Sequence, residues 1–228
     1  MALAFPALTA CPAEGPPQTI GLSSSLPLIW GESGDIRGQL AQDDAPHWAL
    51  DLLRSRGAVV PVDTLAGTDG RMPLAEGALL VLVQPRALAP EENVALDAWV
   101  RGGGRLLLFV DPMLTASSRF ALGDPRRPEA IAMLSPILRH WGLDLHFDPD
   151  QPDQEREVSA FGAVFPARLP GEISASGGSG CDVESDGIAA DCRIGRGRVL
   201  VIADAAVFDG DDAGRRAAVA RFLALLAD

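Results

Sequence analysis

Apolar positions along the chain change their spacing several times, and those changes mark the elements. Leu79 to Val83 is a near-continuous apolar run, as are Leu106 to Val110 and Val199 to Ala203. Short runs without alternation are the signature of strands buried on both faces, which occur in parallel sheets covered by helices. Between the first two lies LAPEENVALDAWV, a helix with Pro90 in its first turn and Glu91 and Glu92 at the positive end of its dipole. Gly102-Gly103-Gly104 stops that helix before the next strand. Strand, helix and strand in this order form a βαβ unit.

The same alternation is expected earlier and later. Thr19 to Leu22 reads as a first strand, Ala45 to Arg56 as a helix ending at Gly57, and Val59 to Val62 as a second strand. Pro128 to Trp141 reads as one helix, with Ile131, Leu134, Ile137, Leu138 and Trp141 on a shared face. A last helix is expected from Ala213 to Leu226, after an Asp211-Asp212 pair suited to its N-cap. Residues 143–197 break the rhythm with short β-like pieces among Asp, Pro and Gly, and read as a β-rich insertion. The expected organisation is a disordered arm or leader remnant over residues 1–17 and a single α/β domain over 18–228.

Composition narrows the function more than the fold. The chain has 228 residues, is 47% hydrophobic and carries a net charge of −12. That charge repels nucleic acid and anionic membrane surfaces, so neither is expected as a partner. All 19 basic residues are Arg, a bias that a GC-rich genome accounts for. No apolar run reaches the ~20 residues needed to cross a bilayer. Leu8-Thr9-Ala10-Cys11 is similar to a bacterial lipobox, which makes Cys11 a candidate for acylation, although no basic residue precedes it.

Cys181 and Cys192 flank Ser185-Asp186-Gly187, a hairpin-like turn. Opposed on two strands they are disulfide candidates in an exported protein; in the cytoplasm they would be two buried thiols. The expected location is therefore periplasmic or membrane-associated, through a lipid anchor or a partner, with the cytoplasm as the alternative.

Three pieces in chain order carry a family resemblance. They are the Pro90–Glu92 helix with its Gly102–Gly104 stop and a strand ending in Asp111-Pro112, then Gly195-Arg196-Gly197-Arg198 before a strand ending in Ala203-Asp204, then the closing helix. The chain resembles the domain of auxiliary components of gliding-motility-type ABC transporters, and a similar domain occurs in intraflagellar transport proteins. The resemblance implies a three-layer α/β fold with a mostly parallel sheet, like a class I glutamine amidotransferase or flavodoxin without catalytic residues. It also implies a non-enzymatic auxiliary or binding role, with ABC transporter membrane subunits as possible partners.

The chemistry-bearing residues agree with a non-catalytic reading. Cys11, Cys181 and Cys192 sit on no strand-to-helix elbow, and Ser117 and Ser118 lack elbow glycines. His47 and His140 lie next to Trp in helices, so no nucleophile–imidazole pair stands out. Asp148, Asp150 and Asp153, like Asp209, Asp211 and Asp212, match no cation loop and read as caps and solvated turns. No metal or cofactor is expected. In open α/β sheets ligands bind beyond the carboxyl ends of the strands. That rule selects Ser23, Ser24, Gln84, Asp111 and Asp204 as candidate ligand-binding residues. Asp111 and Asp204 could equally cap loops by accepting backbone N–H bonds. Two alternatives stand beside the auxiliary domain: a degenerate hydrolase or amidotransferase-like enzyme using the strand-end carboxylates, and a solute- or glycan-binding lipoprotein.

Overall fold

The computed structural model describes residues 18–32 and 46–227. The 1–17 arm, with the candidate lipidation site Cys11, lies outside the described residues. Strand β1 (Thr19–Ser24) is followed by helix α1 (Trp48–Arg54) and strand β2 (Ala58–Pro61). Strand β3 (Leu79–Val83), helix α2 (Pro90–Arg101) and strand β4 (Arg105–Phe109) form the βαβ unit. Beyond them come helix α3 (Ser135–His140), strands β5 (Leu143–His146), β6 (Arg156–Ala160), β7 (Ala163–Ala167), β8 (Glu172–Ala175), β9 (Cys181–Val183), β10 (Ala189–Ile194) and β11 (Gly197–Ile202). A 3₁₀ turn (Ala206–Phe208) and helix α4 (Ala213–Leu225) follow.

The central sheet has the order β2-β1-β3-β4-β11-β10-β9. Strands β2, β1, β3, β4 and β11 are parallel, and β10 and β9 extend the sheet antiparallel at one edge. The buried runs read from the sequence occupy its middle: all five residues of β3 are buried, and Leu106, Leu107, Leu108 and Phe109 of β4 are fully so. Side chains alternate between the two faces, giving two cores. One holds Ile20, Leu22, Leu107, Phe109 and Leu200 against Trp48, Leu53, Phe165 and Phe222, beneath α1, α4 and the β6–β7 hairpin. The other holds Leu80, Leu82, Leu106, Leu108 and Val201 against Leu96, Trp99, Leu138 and Trp141, beneath α2 and α3. The result is a three-layer α/β fold around a mostly parallel sheet.

Local chemistry explains where α2 stops. Gly103 takes φ of 116°, closed to ordinary side chains. A Cβ on Gly104 would fall 2.4 Å from the Trp99 ring, so a glycine here lets the helix end fold onto β4.

Two expectations are revised. The helix expected from Pro128 to Trp141 is confined to Ser135–His140. Residues 129–132 instead run past the strand ends: Glu129 N–H donates to Ser25 Oγ, Ala132 N–H to the Asp111 carbonyl, and Leu114 N–H to the Ala130 carbonyl. Those partners pull the segment out of helix and leave Ile131 54% exposed. The 143–197 stretch also divides. Strands β5 and β8 pair with each other, β6 and β7 form a separate hairpin, and β9 and β10 join the central sheet.

Candidate functional site

The sheet order reverses at β1. The chain moves outward from β1 to β2, then returns to the other side of β1 to lay down β3 and β4. The crevice beyond the carboxyl ends of β1 and β3 is therefore the topological switch point, where open α/β sheets bind ligands. A cleft of about 390 Å³ lies there, lined by Ser23, Ser24 and Ser25 after β1, Asp63 after β2 and Arg86 after β3. Trp30 and Glu32 from the β1 loop and Phe120, Arg126, Arg127 and Glu129 from the β4 loop complete the wall.

Several of these groups are held in place from within the protein. Ser25 Oγ donates to the Gln84 carbonyl at 2.5 Å and accepts from Glu129 N–H at 3.1 Å, tying three strand-end loops together. Ser24 Oγ donates to the Leu26 carbonyl, which shapes the β1 loop. Arg86 makes a two-pronged pair with Glu92, at 2.8 Å on each carboxylate oxygen. Arg126 grips Asp124 through Nε and Nη2 and lies 4.2 Å from the Phe120 ring centroid. Arg127 donates Nη1 to the Phe120 carbonyl. Glu32 Oε2 accepts from Arg119 N–H at 2.8 Å, while its buried Oε1 has no partner among the described residues. Trp30 is 63% exposed.

Of the residues selected from sequence, Ser23 and Ser24 line the cleft, whereas Gln84, Asp111 and Asp204 are buried, off its lining and hydrogen-bonded within the protein. Gln84 is buried with φ of 45°. Its amide donates to the carbonyls of Asp111 and Glu129 and accepts from Asp111 N–H. Asp111 accepts from Met113 N–H at 2.8 Å on one oxygen and from Ala205 N–H at 3.2 Å on the other. Asp204 accepts from Ala206 N–H at 2.7 Å and Arg168 N–H at 3.0 Å. These four N–H donors make both carboxylates loop caps, the structural of the two roles open to them.

Burial dominates their titration. It pushes the Asp111 carboxyl up to about 7, against the Met113 and Ala205 N–H groups that favour the charged form. Asp204 is also pushed well up, first by burial and then by the neighbouring Asp111 charge.

Sequence reasoning missed the basic side of the cleft. The Ser23–Ser25 turn has no basic residue near it in the chain, and the guanidinium groups arrive from positions 86, 126 and 127 only through the fold. The acidic clusters weighed as cation ligands serve other ends: Asp212 accepts from Arg215 N–H at the N-cap of α4, Asp211 pairs with Arg216, and Asp153 with Arg168. His47 likewise caps α1, accepting from Ala49 N–H while its Nε2 lies 3.1 Å from the Phe208 carbonyl; burial lowers its pKa.

Cys181 and Cys192 face each other on β9 and β10 and are joined by a disulfide, with Cα atoms 4.0 Å apart. No helix among the described residues is long and apolar enough to cross a membrane.

No family model matches the chain, and no curated protein does. Among solved structures, a β-galactosidase from Rahnella sp. R3 is 14% identical over 92% of this chain and 30% of its own, with a TM-score of 0.50. The mmIFT52 N-terminal domain is 11% identical over 90% of this chain and 95% of its own, with a TM-score of 0.51. An exo-β-1,4-mannosidase from Opitutaceae bacterium strain TAV5 is 14% identical, covering 92% and 33%, with a TM-score of 0.49. This chain thus spans about a third of the length of these two glycosidases. At such identities the likeness concerns the fold alone.

Proposed function

We propose that this chain is a non-catalytic binding domain, an auxiliary part of a bacterial ABC-type transport or export system, which captures a ligand in the cleft beyond β1 and β3. The observation that carries the reading is the division of labour at the strand ends. The carboxylates that a hydrolase would use, Asp111 and Asp204, are 0% and 1% exposed and spend their oxygens on backbone N–H groups. A general acid or base must come within hydrogen-bond reach of the substrate atom it serves, and neither carboxylate is on the lining of the cleft. The cleft at the switch point instead presents hydroxyl, charged and aromatic side chains to solvent, which supports ligand capture there.

Two further features support the auxiliary role. The parallel strand order β2-β1-β3-β4-β11 matches the flavodoxin-like doubly wound arrangement, the core that the gliding-type resemblance implies. The Cys181–Cys192 disulfide favours a compartment outside the cytoplasm, where such bonds persist.

Crosslinking in native membranes, followed by capture of this protein and mass spectrometry, tests the assignment. Recovery of an ABC permease or ATPase above background is the expected result. Recovery of neither, from cells in which the folded protein is present, would overturn the transport role. Thiol mapping of protein from the same cells tests the compartment: alkylation of both Cys181 and Cys192 without prior reduction would place it in the cytoplasm.

A further inference from the structure

We infer that the cleft ligand is a neutral, hydroxyl-rich molecule of the saccharide class, docked against Trp30. The inference rests on the ligand-capture reading above and specifies its chemistry. The first argument is electrostatic. Of the three guanidinium groups on the wall, Arg86 and Arg126 are already neutralised by Glu92 and Asp124. Arg127 pairs with no carboxylate among the described residues, and Glu32, Asp63 and Glu129 share the lining with it. An anion entering the cleft would meet more carboxylate than unpaired guanidinium, within a chain of net charge −12.

The second argument is the hydrogen-bond inventory. Arg127 offers only donors, the carboxylates only acceptors, the Ser24 hydroxyl (its proton given to the Leu26 carbonyl) a further acceptor, and the Ser23 hydroxyl either. A cation would satisfy the acceptors alone and an anion the donors alone. A hydroxyl both donates and accepts, so a polyol satisfies this lining as a whole. Glu32 Oε1 has no partner among the described residues and is closed to solvent, so a turn of the Glu32 carboxyl toward the cleft brings it into reach of a ligand O–H. A buried acceptor left unmade is costly, so filling it favours the bound state.

The third argument is the aromatic surface. Arg126 covers the Phe120 ring, whereas Trp30 lines the same cleft and is 63% exposed. Tryptophan is an amphipathic body suited to a ligand with an apolar face and a polar rim. A pyranose presents such a face through its C–H groups.

The other three tryptophans, Trp48, Trp99 and Trp141, are 5%, 6% and 2% exposed. A ligand-induced change in the long-wavelength, solvent-exposed component of the emission therefore reports Trp30. The experiment applies the purified protein to an array of neutral, uronic and phosphorylated saccharides, then titrates retained glycans by fluorescence and calorimetry. Inorganic phosphate and spermidine serve as the anionic and cationic comparisons.

Expected are retention of neutral glycans, a Trp30 emission shift, and at least a tenfold loss of affinity in both Trp30→Ala and Glu32→Gln. Circular dichroism establishes that both variants fold. Retention of phosphorylated or uronic glycans alone, preference for phosphate or spermidine, retention of nothing, or undiminished affinity in the folded Trp30→Ala variant would each overturn the inference. Failure here together with recovery of an ABC permease in the crosslinking experiment leaves the auxiliary role standing. Failure of both removes the reading beneath it as well.

Discussion

Two corners of the molecule bury carboxylates, and they do it in opposite ways. At the start of α2, Glu92 is 2% exposed, and burial alone would raise its pKa. The Arg86 guanidinium, the N–H groups of Ala89 and Leu65 and the Thr64 hydroxyl more than reverse that effect and hold the carboxyl at about 2. At the ends of β4 and β11, Asp111 and Asp204 also accept backbone N–H bonds, but their charged neighbours are each other and Asp209. There burial wins and both are pushed up. The contrast teaches that N–H donors alone do not keep a buried carboxylate ionised. A facing guanidinium tips the balance.

The largest test of the contrast is Glu92→Ala. It strips an acceptor from two backbone N–H groups, a hydroxyl and a guanidinium, and should cost about 3 kcal/mol or more in urea unfolding. A loss below ~1 kcal/mol would show that the corner is solvated and the buried pair unimportant.

The next effect is on pH dependence, with opposite signs at the two corners. A carboxyl lowered in the folded state stabilises above its unfolded value and loses that contribution as pH falls through the folded one. For Glu92 the loss runs from about 4.5 down to about 2. A raised carboxyl contributes fully below its unfolded value and loses that contribution as pH rises through the folded one. For Asp111 the loss runs from about 3.8 up to about 7. Stability should therefore be greater at pH 5 than at pH 8, and equal or greater stability at pH 8 would break the comparison. Asp111→Asn sharpens it. The amide can accept from only one of Met113 and Ala205, so the variant is destabilised, and its deficit against the parent should be larger at pH 5 than at pH 8. A deficit that grows with pH would mean that Asp111 is ionised when folded.

The smallest effect concerns the tie between the corners' loops and the cleft. Ser25→Ala removes a hydroxyl that bridges Gln84 and Glu129, and should cost about 1 kcal/mol in thermal or urea unfolding. It should also speed amide exchange around residues 129–132. Unchanged exchange there would show that the segment is held by the Asp111 carbonyl alone.

How much of this was legible in the sequence follows from the range of the interactions. The buried runs of β3, β4 and β11, the Gly102–Gly104 stop and the Asp212 cap are set by neighbours a few residues away, and each forms where its pattern points. The opposition of Cys181 and Cys192 also follows from one hairpin. Residues 128–134 carry a helical apolar period, yet partners at Ser25 and Asp111 hold them in an irregular, bent path. A local pattern cannot encode bonds to residues about 20 and 100 positions away. Arg86, Arg126 and Arg127 were hidden for the same reason. Glu92 was read as a dipole partner, and the added acceptor role depends on Arg86 curling back from the preceding loop. That β9 and β10 would lengthen the central sheet was equally unreadable, since strand order is decided by packing between elements.

The position of β11 has a consequence for how the chain is made. It lies between β4 and β10, pairing Arg198 to Ile202 with Arg105 to Phe109, about ninety residues upstream. During synthesis from the N-terminus, β4 emerges long before its neighbour and presents the unpaired edge of an apolar strand, Arg-Leu-Leu-Leu-Phe. Such an edge is a template for pairing with any other chain. The nascent protein therefore passes through a long interval in which its central sheet is half built and adhesive, and a holdase at the ribosome or a slowed exit of residues 110–196 would decide its yield.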